Sequence, residues 1–170
     1  TSLKFDDFMS HVLNVKPIIW TKSSVNLLDQ RKLPALKEYV ELRKLAEVVS
    51  AIENMTVRGA PAIAVAGLFG MALFFKEKSS KPSLNEAKDA CNFLLSSRPT
   101  AVNLRNGVEL FQSKIFPNYE NFSLSDIIAI SEKLAEDYYN ADVKDNKALG
   151  KNALDLFNGR KKLSILTHCN

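Results

Sequence analysis

The chain has 170 residues, enough for one domain or slightly more around a real core, and at 46% hydrophobic and 25% charged it reads as soluble and globular. A net charge of +4, with no basic run longer than Arg160–Lys162, makes no case for nucleic acid and is compatible with a small anionic ligand. Two cysteines (Cys91, Cys169) and two histidines (His11, His168) fit neither a disulfide framework nor a metal-ligand spacing, so reduced thiols are expected and no metal. The first sixteen residues carry acids and no apolar signal core, which argues for a cytoplasmic protein.

Taken in chain order, "PIIWTKSSVNLLDQ" alternates apolar and polar residues on both sides of a Ser-Ser turn, so 17–21 and 25–29 are expected to pair as a β-hairpin, with "KEYVEL" as a third strand. From Arg43 the period changes. Leu45, Val48, Ile52 and Met55 lie on one helical face, and that helix should end before Thr56.

The next stretch, "TVRGAPAIAVAGLFGMALFF" (56–75), has one charge, at Arg58. It is shorter than a bilayer span and contains Pro61, Gly67 and Gly70, so a buried central helix over about 61–78 is the better reading. Pro61 suits a first turn, where its missing N–H would have had no partner. Free N–H groups and the positive end of the dipole then lie beside Arg58 and the flexible Gly59, an arrangement suited to a phosphate. The alternative is an arginine paired with a neighbouring carboxylate over an ordinary helix start.

Further helices are predicted at about 83–96, 101–113, 123–143 and 145–158, with Ser83 and either Ser123 or Ser125 as starts. In "SSRPTAVNLRNGVELF", Arg98 stands before Pro99 and a helix entrance, repeating the pattern at Arg58. Two such arginines can clamp one anion, or can cap two unrelated turns. Cys91, within "NEAKDACNFLL", reads as a core or half-buried thiol. After the turn signal "NGR", 162–167 has the pattern of a short apolar strand, read as the first strand of a parallel sheet whose remainder lies beyond Asn170. Ligands bind at the carboxyl ends of such strands, where His168, Cys169 and Asn170 fall. Cys169 is a candidate nucleophile or proton-transfer group there, against the alternative of a packing thiol. The fold class expected is therefore α/β: a mostly helical N-terminal domain with a small antiparallel sheet over 1–158, then the start of a truncated Rossmann-like domain at 159–170.

"VRGAPAIAVAG", "SRPTAVNL" and "ILTHCN", in this order and separation, together with "LLDQRKLP", resemble the methylthioribose-1-phosphate isomerase family over about residues 17–170. Its superfamily also holds ribose-1,5-bisphosphate isomerases and regulatory subunits of a translation-initiation nucleotide-exchange factor. The unbroken "RGAPAI" and the Asn of "THCN" favour the methylthioribose enzymes, whereas "LRN" at 104–106 is closer to the regulatory relatives. The resemblance implies conversion of 5-methylthioribose 1-phosphate to 5-methylthioribulose 1-phosphate in methionine salvage, without metal or organic cofactor, by a cytoplasmic homodimer. It implies that Arg58, Gly59 and Ala60 contact the substrate phosphate region, that Arg98 binds substrate, and that Cys169 is catalytic. The family's catalytic aspartate lies beyond this chain, so Asp142, Asp145 and Asp155 are not assigned that role.

Overall fold

The computed structural model describes residues 15–157, 162 and 164–166. The period-two alternation near its start forms three antiparallel strands, β1 (Ile18–Trp20), β2 (Val25–Leu28) and β3 (Tyr39–Leu42), in the order β1-β2-β3. Ile18 and Val40 both stand opposite Leu27, while Trp20 and Leu42 stand opposite Val25. This register gathers the apolar set on one face, where Val25 and Leu27 are wholly buried. At the hairpin tip the Thr21 hydroxyl donates to the Ser24 carbonyl at 3.1 Å, and the Ser24 hydroxyl donates across the sheet to Glu41 at 2.7 Å.

Five α-helices follow among the described residues. The amphipathic pattern after Arg43 gives α1 (Leu45–Glu53), which buries Leu45, Val48, Val49, Ala51 and Ile52. The apolar stretch gives α2 (Ala60–Lys76), in which every residue from Ile63 to Phe75 is buried. Helix propensity does not explain α2, because Gly67 and Gly70 each cost about 1 kcal/mol relative to alanine. Burial does, since Phe69, Met71, Leu73 and Phe75 each gain roughly 2 kcal/mol on leaving water. Both glycines admit neighbours. A Cβ on Gly67 would stand 2.7 Å from Leu104 Cδ1, and one on Gly70 3.1 Å from Val48 Cγ1. The sheet covers another side of α2, with Trp20 stacked on Phe69 at 4.8 Å between ring centroids. Among the described residues, no helix is long and apolar enough to cross a membrane.

Helix α3 (Leu84–Ser96) begins in a capping box, with Ser83 accepting from the Glu86 N–H and Glu86 accepting from the Ser83 N–H at 2.8 Å. Helix α4 (Val102–Ile115) runs into a 3-10 segment, Phe116–Asn121, which the sequence reading did not foresee. Lys81 closes that segment by donating to the carbonyls of Tyr119, Glu120 and Phe122 at 3.0–3.3 Å. The final helix, α5 (Leu124–Phe157), packs Ile127, Ser131 and Ala135 inward at four-residue spacing.

The expectation of separate helices at 123–143 and 145–158 is corrected here. α5 is continuous over 34 residues, about 51 Å at 1.5 Å per residue. Nothing at the supposed joint breaks it: there is neither proline nor glycine between Ala141 and Ala148, and Asn146 Nδ2 donates back to the Asp142 carbonyl at 2.9 Å. The expected strand at 162–167 falls largely outside the described residues; Lys162 and residues 164–166 are exposed and have no regular structure.

Candidate functional site

Two turns carry the arginines singled out in the sequence. The first follows α1. Met55 adopts a left-handed φ of 63°, and Asn54 Oδ1 accepts from both the N–H and the hydroxyl of Thr56, at 3.0 and 2.6 Å. Val57 is fully buried, its N–H donating to the Ala51 carbonyl at 3.3 Å. With Val57 anchored inside, Arg58 emerges at the surface. Its guanidinium has no ion-pair or hydrogen-bond partner among the described residues, unlike Arg31 and Arg43, which pair with Asp29 and Glu41. The alternative of an arginine paired with a nearby carboxylate is therefore not met among the described residues.

Gly59 is the N-cap of α2 at φ 93°, ψ 131°, a conformation that favours glycine. No side chain caps the helix, Ala60 is exposed, and Pro61 occupies the first turn. The second turn is built similarly. Ser97 is buried with its hydroxyl donating to the Leu94 carbonyl at 2.6 Å, Arg98 is half-buried, and the Ala101 N–H donates to the Arg98 carbonyl at 3.0 Å. Ala101 then opens α4 without a side-chain cap. By contrast, α1, α3 and α5 each have a carboxylate at the entrance, from Glu47, Glu86 and Asp126. The entrances that follow the two arginines are the ones without carboxylates, and their free N–H groups and dipole ends suit an anion.

These entrances meet. Pro61 of α2 and Asn103 of α4 line one open cavity of about 220 Å³, whose other wall is formed by Tyr138, Ala141, Asp142 and Asp145 of α5. The two helices therefore run in the same direction, with Phe75 and Phe111 stacked further along at 6.1 Å. Neither Arg58 nor Arg98 is among the residues lining the cavity, so the expected clamp of two arginines in one cavity is not seen there; what the cavity joins is the two helix entrances. Asp142 and Asp145, set aside in the sequence reading, stand on its wall. Their positions with Tyr138 and Ala141, at i, i+3, i+4 and i+7, were the available sign that they share a face. Carboxylates accept from hydroxyl groups and repel phosphate, so an anion is favoured at the helix entrances and neutral hydroxyls at the α5 wall. Larger clefts of about 380 Å³ lie between α1 and α3 and beside β3; the second reaches Asn54 and Thr56 of the turn before Arg58, and neither is lined by Arg58 or Arg98.

Cys169 lies outside the described residues, as do His11 and His168. Cys91 is wholly buried, and burial pushes its thiol up to about 12, against the smaller opposing effect of a hydrogen bond with Gln112. It is a core thiol, as its place in the helix suggested. Among the described residues no group of three or more His, Cys, Asp or Glu side chains is placed to hold a metal ion.

The fold and the arginine turns belong to a defined class: residues 56–170, more than half the chain and starting at the Thr56 turn, match the Initiation factor 2 subunit family, and the chain belongs to that family. Within it, the chain is 46% identical over 159 residues to the methylthioribose-1-phosphate isomerase of Leptospira interrogans, covering 92% of this chain and 43% of that protein. It is 40% identical over 158 residues to the enzyme of the same name from Thermotoga neapolitana, covering 93% of this chain and 45% of that one. The chain thus spans less than half the length of these curated relatives. Among solved structures, 5-methylthioribose 1-phosphate isomerase from Pyrococcus horikoshii matches with a TM-score of 0.70 at 33% identity, over 75% of this chain and 36% of that one. Subunit delta of the translation initiation factor eIF-2B from A. fulgidus matches with a TM-score of 0.64, also at 33% identity, over 76% of this chain and 38% of that one.

Proposed function

We propose that this chain provides the phosphate-binding region of an aldose–ketose isomerase that converts 5-methylthioribose 1-phosphate to 5-methylthioribulose 1-phosphate in methionine salvage. The observation that carries the reading is the convergence of two uncapped helix entrances, each preceded by one of the paired arginine motifs, on a single cavity. The substrate is taken from the names of the relatives at 40–46% identity. In this reading Arg58, Gly59 and Ala60 hold the phosphate with the α2 N-terminus, Arg98 joins from the α4 entrance, and Cys169 acts at the reacting carbons. Residues 1–158 form the N-terminal domain, 159–170 begin a Rossmann-like domain, and the intact protein is a cytoplasmic homodimer.

The chemistry sets the requirements. With phosphate on the anomeric oxygen, the ring cannot open by loss of a hydroxyl proton, so the bond from C1 to the ring oxygen breaks with protonation of that oxygen. The C2 hydrogen then moves to C1 and the C2 hydroxyl loses its proton, leaving a ketone at C2 and a CH2 bearing the phosphate at C1. Cys169 serves as base at C2 if the hydrogen travels as a proton, or stabilises the intermediate if it travels as hydride. Deuterium from solvent at C1 of the product identifies the first route.

The test is turnover of 5-methylthioribose 1-phosphate by the intact protein. Cys169→Ser should lower kcat by about a thousandfold, within the range for a lost acid–base group, while substrate still binds. The second reading is a regulatory subunit, favoured by the match to eIF-2B delta and by Leu104–Asn106. An intact protein with no turnover that still binds the sugar phosphate would establish that reading instead.

A further inference from the structure

The segment after β2 is tied to the Arg58 turn by two hydrogen bonds. The Gln30 N–H donates to the Thr56 carbonyl at 3.0 Å, and Gln30 Nε2 donates to the Arg58 carbonyl at 3.0 Å. The first bond holds the two loops together; the second acts on one peptide unit. A trans peptide points its C=O and N–H in opposite directions, so fixing the Arg58 carbonyl on Gln30 turns the Gly59 N–H away from the β2 loop. It also occupies the carbonyl four residues before Ala62. In α2 the first bond back to the turn is Ile63 N–H to the Gly59 carbonyl at 3.0 Å, and the Arg58 carbonyl accepts from Gln30 rather than from Ala62. Gly59, at φ 93°, is the residue type that can keep this peptide orientation without strain.

Gln30 is itself held. Its neighbour Asp29 is buried and accepts from Arg31 Nε at 2.8 Å, Arg31 Nη2 at 2.7 Å and the Arg31 N–H at 3.1 Å. Lys32 N–H donates to the Asp29 carbonyl at 3.2 Å, and the Asp29 N–H donates to the Glu38 carbonyl at 2.9 Å. The loop carrying Gln30 is therefore held by bonds within itself and tied at its base to Glu38, next to β3.

We infer that Gln30 is a positioning residue for phosphate binding: its side-chain amide sets the Arg58–Gly59 peptide so that the N–H groups at the entrance of α2 face the ligand. This inference rests on the phosphate-site reading above. Gln30 touches no substrate, and acts through the Arg58 carbonyl.

The experiment compares Gln30→Met, Gln30→Glu and Arg58→Ala in the intact protein, reading KM, kcat, Tm and the inhibition constant of inorganic phosphate. Methionine keeps the length of the side chain and removes the donor; ionised glutamate keeps the shape and presents an acceptor to a carbonyl. Gln30→Met should raise KM and the phosphate inhibition constant together by about fivefold, the scale of one hydrogen bond, with kcat changed less than about twofold and Tm unchanged. Gln30→Glu should raise both constants more. If both Gln30 variants keep the parental constants while Arg58→Ala raises KM, the positioning role is overturned and the phosphate site stands. If Arg58→Ala also leaves KM and the phosphate constant unchanged, the site reading itself has failed. A fall in Tm at unchanged KM would show Gln30 to be a loop clamp only, which also overturns the inference.

Discussion

The two ends of α2 are built on opposite rules. At its exit, Lys76 Nζ lies 2.8 Å from Glu132 Oε1, an ion pair not aligned as a directed hydrogen bond, and 5.8 Å from the centre of the Trp20 ring. At its entrance, Arg58 is exposed and has neither carboxylate nor ring beside it among the described residues. The exit cation is engaged by the fold, and the entrance cation has no partner among the described residues. Between them the shaft is packed on every side, so the entrance is supported by a rigid element.

The largest effect expected from breaking this contrast is in the shaft. Gly67→Val places a branched side chain where even a Cβ would stand 2.7 Å from Leu104 Cδ1 and 3.2 Å from Leu94 Cδ2, both in the fully packed core. Overpacking of this kind costs about 3 kcal/mol, so chemical denaturation should show a clear loss of stability. An unchanged midpoint would mean that α3 and α4 can move away from α2, against the close packing described.

The entrance should behave in the opposite way. Arg58→Ala is expected to weaken substrate binding by about 2 kcal/mol, roughly thirtyfold, with Tm unchanged, because the guanidinium makes no described contact within the fold. Titration calorimetry with substrate alongside thermal melting measures both. Lost stability at parental affinity would return Arg58 to the role of an ordinary surface residue.

Next to the entrance, Asp29 offers a smaller, pH-dependent effect. The Arg31 side-chain hydrogen bonds hold the Asp29 carboxyl below its ordinary value of 3.8, against the opposing effect of burial. A carboxyl lowered in the folded state contributes stability that is complete above the unfolded value and is lost as pH falls through the folded one. Asp29→Asn should therefore melt below the parent at pH 7, with the gap closing as pH drops below 3.8. A gap independent of pH would show that the loop depends on shape and not on the charge.

What the sequence made legible follows physical range. The hairpin, α1 and the start of α2 are set by local rules, namely strand alternation, helical spacing and Pro61 in a first turn, and each lies within two residues of its expected place. The continuous α5 was missed because Asp142, Asp145 and Asn146 resemble turn residues, although no breaker accompanies them. The Gln30–Arg58 bond joins residues 28 positions apart, and the Lys81 tie to the 3-10 segment spans 38 or more. No local pattern announces either. Arg58 could be placed at a helix entrance from the sequence, but its lack of a carboxylate partner among the described residues depends on where the acidic residues of other elements fall.

The smallest expected effect concerns Cys91 and sharpens the assignment of Cys169. With its thiol pushed up to about 12 by burial, Cys91 is about one part in ten thousand thiolate at pH 8, before access is considered. It should resist iodoacetamide in the folded protein and react once the protein is unfolded in urea, because only the thiolate attacks. The sequence contains only these two cysteines. Of these two thiols only Cys169 is then expected to be alkylated rapidly in the folded protein, and Cys91→Ala should be inactivated at the parental rate. Peptide mapping of the alkylated protein measures this directly. Label at Cys91 in step with the loss of activity would mean that α3 opens to solvent under native conditions, and would remove thiol sensitivity as support for a catalytic Cys169.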